Sequence, residues 1–387
     1  MKEAISIRNA GPLRNIVLSE ITPFTILIGP SGSGKSMIMK IVIIMRYIFK
    51  LCCIRSYLKN SGISRSPFRL QVDNLFRDDL KSTLLKQGVE IIYTVTLDSG
   101  DEYTIKYRDR KLSLHLNGKS NKNISDKDIV FLKESWISEA RNVIPHWVAN
   151  PANIKGGLGF YFHETLADFT EATRNIQNLD LGFIDGRLAI DARNGLPRYY
   201  FEVPGKHEPI ELRHASSGIQ TVAPLALIIS YFANVFSFKD AKRRSILNYL
   251  YENDRITDFH PKTELSDMKS VINVHIEEPE LSLDPISQVK MIDYLVNTAF
   301  NSATNTMTLM LATHSPYIVN ALNLVINRKD SQAALAAEKV AVYSIHNGKL
   351  VNLKACTDTG VPVIDTSDLT APMQTILEDY TNLIADC

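Results

Sequence analysis

The first stretch whose residue types suggest chemistry is GPSGSGKS at residues 29–36, which fits the pattern G-x-x-x-x-G-K-[ST] at every fixed position. Glycines let a loop adopt positive φ angles and approach a phosphate closely, and the N–H groups of the loop and the following helix then face the anion. We expect Lys35 to reach the β- and γ-phosphates and Ser36 to hold Mg²⁺. The residues predicted to contact the nucleotide in this loop are Gly29, Ser31, Gly32, Ser33, Gly34, Lys35 and Ser36.

The segments on either side of this loop are those that a phosphate-binding loop needs. FTILIG at 24–29 is a short apolar run typical of a buried parallel strand, and a helix is predicted from about Ser36. The apolar stretch 37–54 is interrupted by three basic residues. Because a membrane span needs about 20 mostly apolar residues with few charges, we interpret this stretch as a core helix.

The second chemical stretch is VINVHIEE at 271–278, an apolar strand that ends in two glutamates. Active sites of α/β folds lie at the carboxyl ends of strands. In a phosphoryl-transfer site one carboxylate supports Mg²⁺ and another orients or activates the attacking water. We assign Glu277 to the Mg²⁺ shell and Glu278 to the water, with a solvated acidic turn as the alternative interpretation.

The sequence that follows these glutamates carries a resemblance to a known family. EEPELSLDP at 277–285 resembles the block of ABC-type ATPases in which the Walker B strand runs into the D-loop, commonly written D-E-P-T-S-A-L-D. The matching positions are Glu277, Glu278, Pro279, Leu283 and Asp284. Glu277 stands where aspartate is usual, which resembles the RecF/SMC/OLD-like branch (AAA_21-like domains), whose members often read EEPE…LHP.

Two further segments resemble the same branch in the same chain order. LMLATHSP at 309–316 resembles its switch region, so His314 is expected to meet the γ-phosphate. LRHASSGIQTVAPL at 212–225 resembles the signature L-S-G-G-Q, with departures at Ala215 and Ile219. The positions that carry the signature match are Ser216, Ser217, Gly218 and Gln220.

The resemblance implies ATP and Mg²⁺ as cofactors and a site that is shared between subunits. In this family two subunits pack head-to-tail, and ATP lies between the Walker A loop of one and the signature of the other. The expected partner is therefore a second copy, in a homodimer or a larger assembly. Asp284 of the D-loop belongs to the expected nucleotide-binding set.

Two assignments stay open between a functional and a structural interpretation. Gln71, in FRLQVDNLF, lies where the family places its Q-loop glutamine, but an ordinary surface glutamine fits equally well. SWISEARNVIP at 135–145 resembles a segment that this branch often writes Y-I-P-A-E-R. Arg141 is then either a residue that approaches the nucleotide or the partner subunit, or a structural arginine.

The predicted fold class is α/β, a P-loop NTPase with an ABC-ATPase-like mixed sheet, an antiparallel β lobe and a helical insertion. We expect one ATPase domain over residues 1–387, with the β lobe at 88–119 and the insertion at 223–270. About 70 residues follow His314, too few for the Toprim nuclease of OLD-family proteins. A standalone ATPase whose effector is another polypeptide is therefore expected.

Composition limits the classes of partner and compartment. The net charge of the 387 residues is +1, so no global basic field demands nucleic acid. Four cysteines without a C-x-x-C pair, and an N-terminus without an apolar signal segment, favour a cytoplasmic protein with no membrane association. KDAKRR at 239–244 is either a candidate basic patch for DNA or a solvated helix face.

The leading hypothesis is an ATP-hydrolysing switch or sensor resembling the ATPase subunits of prokaryotic anti-phage systems such as Septu and PARIS. Such a subunit would answer a phage-derived trigger and control a separately encoded effector, expected to be a nuclease. The alternative is a RecF-like DNA-binding repair ATPase, which predicts DNA-stimulated turnover with salt-sensitive DNA affinity. A membrane-transporter ATPase subunit fits poorly, because the EEPE…THSP pairing and the weak signature depart from it.

Overall fold

The computed structural model describes residues 1–63, 76, 78–120, 122–149, 159–191, 197–205, 208–252, 256–329 and 334–385. The α-helices among these residues are α1 (Lys35–Asn60), α2 (Asp78–Leu84), α3 (Ile144–Ala149), α4 (Phe160–Asn175), α5 (Ser217–Asn234), α6 (Phe238–Glu252), α7 (Pro285–Phe300), α8 (Pro316–Asn327) and α9 (Ser367–Ala385).

The β-strands are β1 (Lys2–Ala10), β2 (Leu13–Ile21), β3 (Phe24–Ile28), β4 (Glu90–Thr96), β5 (Glu102–Arg108), β6 (Lys111–Leu116), β7 (Lys119–Ser120), β8 (Val130–Ile137), β9 (Asn178–Leu181), β10 (Gly186–Asp191), β11 (Arg198–Glu202), β12 (Ile210–Glu211), β13 (Lys269–Glu277), β14 (Met307–Thr313), β15 (Val340–His346), β16 (Lys349–Asn352), β17 (Lys354–Cys356) and β18 (Pro362–Ile364).

The central sheet has the order β16-β15-β3-β14-β13-β8. Its neighbouring strands are parallel except for β16, which pairs antiparallel with β15 at one edge. All five residues of β3 are buried, as expected for a strand covered on both faces. The carboxyl ends of β3, β14, β13 and β8 therefore lie side by side along one edge of the sheet. The mixed α/β fold predicted from the sequence is confirmed.

Helix α1 lies between the central sheet and a second, antiparallel sheet with the order β2-β1-β4-β5-β6-β7. One buried cluster unites α1 with both sheets: Ile38 and Val42 share it with Ile7 and Ile105 of the antiparallel sheet and with Met310 of the central sheet. The meander predicted at 88–119 thus joins the two N-terminal strands. The apolar stretch 37–54 is a core helix, as its interrupting basic residues predicted.

A buried ion pair fixes α1 against the antiparallel sheet. Arg46 is 2% exposed, and its Nε donates to Glu3 Oε2 at 2.7 Å. The same carboxylate oxygen accepts a 2.7 Å bond from the hydroxyl of Tyr93. A charge buried in this way requires full hydrogen bonding, so this contact specifies how the helix that begins at Lys35 sits on the lobe.

The opposite face of the central sheet is covered by α5, α7 and α8. Helix α5 is apolar around its circumference, and every residue from 221 to 233 is buried. Such a helix belongs to a core. The region 223–270, expected as a helical insertion, therefore begins inside the core, and its last residues open β13. Only the intervening part, which includes α6, carries mostly polar, exposed residues.

Among the described residues, no single helix is long and apolar enough to cross a membrane. By length and composition alone, the pair Ser217–Asn234 and Phe238–Leu247, bent by 80°, passes that criterion. The first helix of the pair is the buried α5.

Candidate nucleotide-binding site

A cleft of about 420 Å³ opens at the edge of the central sheet, at the carboxyl ends of β3, β14, β13 and β8. The residues that line it are Pro12, Ser31, Gly32, Gly34, Lys35, Ser36, Met37, Glu139, Glu277, Glu278, Ala312 and His314. They come from five separate parts of the chain. Its volume is within the range of small-molecule and cofactor sites.

The glycine loop between β3 and α1 is shaped by close backbone approaches. Gly34 has φ +101°, and a Cβ atom there would lie 2.4 Å from the Leu13 side chain. A Cβ at Gly29 would lie 2.5 Å from the carbonyl oxygen of Ile345. Larger residues at these two positions would displace the loop, so the motif glycines are required by packing as well as by conformation.

Within the described part of the chain, the glycine loop has a buried polar group without a partner at Ser33 and open space at Gly32. Ser33 Oγ is buried, and no described residue offers it a hydrogen-bond partner. A Cβ at Gly32 would meet no described atom within 4 Å. A buried hydroxyl without a protein partner is costly unless a ligand satisfies it. Phosphate oxygens would satisfy this hydroxyl.

Lys35 is positioned at the centre of the cleft by backbone carbonyls. Its Nζ donates to Gly29 O at 2.8 Å and Pro30 O at 3.0 Å, and it lies 3.2 Å from His314 Nε2. Burial lowers the pKa of Lys35, while the charges of nearby carboxylates oppose that shift. The structure thus brings together the lysine of the loop and the histidine of the predicted switch, 279 residues apart in sequence.

Glu278 joins this pair from the end of β13. Its φ is +41°, a left-handed conformation that is uncommon for a residue other than glycine. Its Oε1 lies 3.5 Å from His314 Nε2. Backbone strain of this kind is found preferentially at functional sites. Lys35, Glu278 and His314, all predicted from motifs, therefore converge on one point.

Glu277 faces a different side of the cleft, where it meets Glu139. Burial and the hydrogen-bonded Glu139 carboxyl raise the pKa of Glu277 to about 8. The pKa of Glu139 is lowered, chiefly by the hydrogen bond from Glu277. Two carboxyl groups this close share a proton because both cannot be charged without strong repulsion. Ser36 also hydrogen-bonds to Glu277 and opposes the rise.

The sequence predicted Glu277 and Ser36 for this position but did not predict Glu139. Glu139 follows β8, the parallel neighbour of β13, with Ile137 in register with Ile276. The sequence does show Glu139 as an acidic residue just after an apolar strand, within the same segment, 135–145, that contains Arg141. Sheet neighbours cannot be deduced from one sequence, so this pairing was not visible there.

This donor set fits Mg²⁺ in the presence of a nucleotide. Mg²⁺ is usually bound through one or two carboxylates together with substrate phosphates and water. Glu277, Glu139 and the Ser36 hydroxyl are oxygen donors of that kind. No described group of three or more His, Cys, Asp or Glu side chains is arranged to hold a metal ion alone, so phosphate oxygens would have to complete the shell.

Glu280, the last acidic residue of EEPE, ties the turn after β13 to the switch. Its Oε1 accepts 2.7 Å hydrogen bonds from Thr313 Oγ1 and from the backbone N–H of His314. This contact fixes the backbone that carries the His314 imidazole. The motif match had left Glu280 without a role.

Arg141 serves as a buried clamp for carbonyl groups, which decides between its two interpretations. It is 0% exposed. Its Nη1 donates to Glu277 O at 2.7 Å and to Ser138 O at 3.1 Å, and its Nη2 donates to Glu278 O at 2.6 Å. Its Nε donates to Thr221 O of α5 at 3.1 Å. Burial lowers the pKa of Arg141 to about 10. The guanidinium therefore supports the turn that follows β13.

The residues of the predicted signature lie outside this cleft. Ser216 and Ser217 are exposed at the start of α5, and the Ser216 side chain makes no capping bond within the chain. Gly218 approaches the turn before α7, where a Cβ would lie 2.8 Å from Ser282 O. The Gln220 amide instead turns back and donates to Arg213 O and Ala215 O, at 2.8 and 3.0 Å.

Other predicted contacts have local partners or cannot be located. Asp284 caps α7, where its Oδ1 accepts from the N–H groups of Ile286 and Ser287 at 2.9 and 3.1 Å. Gln71 lies outside the described residues. In the candidate basic patch at 239–244, Lys242 points inward and donates to Leu265 O and Met268 O, so it is unavailable to DNA.

We expect Arg141→Met to lower the free energy of unfolding by about 3–5 kcal/mol, because four buried carbonyls lose a charged donor. Arg174→Met is the matched control, since Arg174 is 70% exposed and, among the described residues, its ion pair is with Glu171 at the surface, where such pairs contribute about 0–1 kcal/mol. Urea unfolding of both variants measures the difference. Equal losses of unfolding free energy in the two variants would contradict a stabilising role of the Arg141 contacts.

Comparison with known proteins identifies the family. The model described as "AAA domain, putative AbiEii toxin, Type IV TA system" (AAA_21) matches residues 24–320. No match was found among curated proteins.

Several solved structures are similar to this chain along most of their length. The SMC head bound to the C-winged helix domain of ScpA has 12% identity and a TM-score of 0.40, with 91% of this chain and 97% of that chain covered. The SMC head domain from Thermotoga maritima has 12% identity and a TM-score of 0.39, with 92% and 99% covered. The recombination mediator protein RecF with ATPrS has 12% identity and a TM-score of 0.38, with 91% and 98% covered.

The family assignment rests on the sequence match, which spans most of the chain and includes the glycine loop, the double-glutamate strand and His314. The chain belongs to the AAA_21 family of AAA domains.

Proposed function

We propose that this chain is an ATP-hydrolysing switch subunit that acts as a head-to-tail dimer or a larger assembly and controls a separately encoded effector. The observation that carries the proposal is the convergence of Lys35, Glu278 and His314 in one cleft beside the Glu277–Glu139 pair. The signature residues lie outside that cleft, with Ser216 and Ser217 exposed, which suits a site completed by a second copy.

Each residue of the cleft has a role that follows from its position. Mg²⁺, when bound with ATP, would neutralise charge that develops on the phosphates. Ser36, Glu277 and Glu139 would hold that ion. Glu278 orients the attacking water, and the left-handed backbone at this residue sets the direction of its carboxylate. His314 donates a hydrogen bond toward the γ-phosphate, held there by the Glu280 contact to its backbone.

Arg141 supports communication between the signature and the catalytic turn. One guanidinium donates both to Thr221 O of the signature helix and to the carbonyls of Glu277 and Glu278. The close approach of Gly218 to Ser282 makes a second contact between the same two segments. A neighbouring subunit's nucleotide that moves the start of α5 would therefore also shift Glu278.

The defence role rests on the family and on resemblance, since no residue of the cleft specifies phage. The family description names a putative toxin of a type IV TA system, so the separate effector rests on the resemblance to anti-phage ATPase subunits alone. ATP-dependent closure of two copies would provide two states for such control.

The shared site predicts that two inactive variants restore each other. Lys35→Ala and Ser216→Arg should each reduce ATP turnover at least about 100-fold, the usual effect of removing a charge-stabilising group. Ser216 makes no side-chain cap bond, so its substitution should leave the fold intact. In an equal mixture about half of the dimers contain one chain of each variant. Each mixed dimer has one intact site out of two, so about a quarter of wild-type turnover should return.

The control for this mixture is Ser266→Arg, an exposed serine outside the cleft, which should retain full turnover. High activity of Ser216→Arg alone would contradict the signature assignment. A verified mixed complex without recovered turnover would contradict independent shared sites. Turnover that depends on added DNA would instead favour the RecF-like alternative.

The carboxyl pair predicts that Mg²⁺ binding depends on pH. Mg²⁺ binds the deprotonated pair, and the pKa of Glu277 is raised to about 8. The proton therefore competes below pH 8, and Mg²⁺ affinity should fall by up to about 10-fold per pH unit. Calorimetric titration of Mg²⁺ with a non-hydrolysable ATP analogue at pH 7 and 8.5 measures this.

Glu139→Gln tests the origin of that dependence. The amide removes the second negative charge, so the pKa of Glu277 should fall. The difference in Mg²⁺ affinity between pH 7 and pH 8.5 should then become smaller. Glu171→Gln, at an exposed position, should keep the wild-type dependence of Mg²⁺ affinity on pH. A wild-type affinity that does not change with pH would contradict the shared proton.

The effector proposal predicts a separation of turnover from protection. Deleting the gene next to this one should abolish phage protection, while the purified ATPase turns over at the wild-type rate. Plaque counts and phosphate release measure the two properties. Protection that survives without the neighbouring gene would contradict control of a separately encoded effector.

A further inference from the structure

The last helix, α9, carries large apolar side chains that the rest of the described chain leaves exposed. Every residue from 371 to 384 is exposed. The exposed fractions of the apolar side chains that concern us are Met373 58%, Ile376 62%, Leu377 56%, Tyr380 61% and Ile384 55%. An uninterrupted exposed apolar surface of this kind marks an interaction site.

These side chains share one face of the helix. At 100° per residue they lie, together with Leu369, within an arc of about 100°. Isolated helices shorter than about 12–15 residues are marginal in water, because most helical stability comes from packing an apolar face. The exposed part of α9, residues 371–384, is about as short as such a marginal helix. We therefore expect another surface to pack against it and stabilise it.

The start of α9 is fixed to the helix that follows the switch. Asn323 of α8 exchanges two hydrogen bonds with Ile364, at 2.7 and 3.0 Å, and Asn320 accepts a 2.9 Å bond from Thr366. Leu369 packs against the core cluster. Helix α8 begins directly after His314. The base of α9 is therefore held in place while its remaining length is exposed.

The charges of α9 limit what can cover it. Between Ser367 and Ala385 the charged residues are Asp368, Glu378 and Asp379, with no lysine or arginine. Amphipathic helices that lie on membranes are rich in basic residues, which anionic lipids attract. Nucleic acid is excluded for the same reason. The covering surface is therefore protein.

The spacing of the apolar residues fits a second copy of the same helix. Met373, Ile376, Leu377 and Tyr380 are separated by 3, 1 and 3 residues, the same in both directions. A two-fold axis between Ile376 and Leu377 would place Met373 level with Tyr380 and Ile376 level with Leu377, whereas the exposed Leu383 would lie level with Thr370. An isologous interface requires this kind of self-complementarity.

The acidic residues do not oppose the antiparallel arrangement. About that axis, Glu378 and Asp379 lie level with Thr375 and Gln374 of the second copy, so no acidic residue lies level with another. At 100° per residue both lie more than 100° from the centre of the apolar face, so they stay in solvent and the direction of pairing is tested by cross-linking.

We propose that α9 pairs antiparallel with α9 of a second copy of this chain. Covering five such side chains, at on the order of 100 Å² each, buries roughly 1,000 Å² in a pair, the lower limit for a specific interface. This surface lies apart from the exposed signature and needs no nucleotide. It is thus independent of the proposed ATP-dependent dimer, and the two together would join dimers into a larger assembly.

The first test is the oligomeric state of the full chain without nucleotide, measured by light scattering on a sizing column. The wild type should be a dimer at micromolar concentration. Ile376→Glu and Tyr380→Glu should each be monomeric with at least a 10-fold higher dissociation constant. Asn382→Glu adds the same charge to the same helix off the apolar face, level with Ala371 of the second copy, and should stay dimeric, and circular dichroism should show all three folded.

A monomeric wild type, or a dimer that both glutamate variants leave intact, would overturn the proposal. A monomer that associates with vesicles of neutral or anionic lipid through α9 would overturn it as well. Because no nucleotide is present, these outcomes are independent of whether the proposed ATP site is correct.

The second test fixes the direction of pairing in a background with Cys356→Ser and Cys387→Ser. Chains with Met373→Cys are mixed with larger tagged chains that carry Tyr380→Cys, and a short bismaleimide is added. An antiparallel pair should give the mixed-size product, and Met373→Cys alone should give little. Efficient cross-linking of Met373→Cys to itself would overturn the antiparallel arrangement.

Discussion

The arrangement of the site depends on how one buried guanidinium holds the end of β13. Two consecutive carbonyls, those of Glu277 and Glu278, leave the sheet at the point where Glu278 adopts a left-handed conformation. The Glu278 carbonyl accepts a turn bond from Leu281 N–H at 3.0 Å, and a buried carbonyl needs its hydrogen bonds. The planar fork of Arg141 reaches both carbonyls. A lysine cannot present parallel donors in this way.

That turn lets two adjacent carboxylates do different things. Glu277, the last residue of the strand, points to Ser36 and Glu139, and its pKa is raised by burial beside a second carboxyl. Glu278, one residue later, points to His314. In a regular strand neighbouring side chains already face opposite sides, and the left-handed φ at Glu278 redirects the second one along the edge of the sheet. The carboxylates proposed for metal binding and for water orientation thereby face different sides of the cleft within one dipeptide.

The sequence was sufficient for everything that a motif or strand period specifies. It predicted the strand–loop–helix around Lys35, the strand before Glu277 and the strand before His314, because these depend on local pattern and on glycine. It did not predict Glu139 or the carbonyl contacts of Arg141, because both depend on which strand lies beside β13. For Gln220 and Asp284 the hydrogen-bond partners are local, but several polar groups compete for each side chain, and only the folded backbone selects among them.

The charge of the cleft follows from the same geometry. Glu139, Glu277 and Glu278 line it, whereas Lys35 is its one lysine among the described lining residues. Such a surface repels a triphosphate unless protons or cations reduce its charge. The shared proton on the Glu277–Glu139 pair does so in one state, and a divalent cation would do so in another. The two are alternatives for the same oxygens, so the acidity of the cleft would make the proposed nucleotide binding dependent on a metal ion.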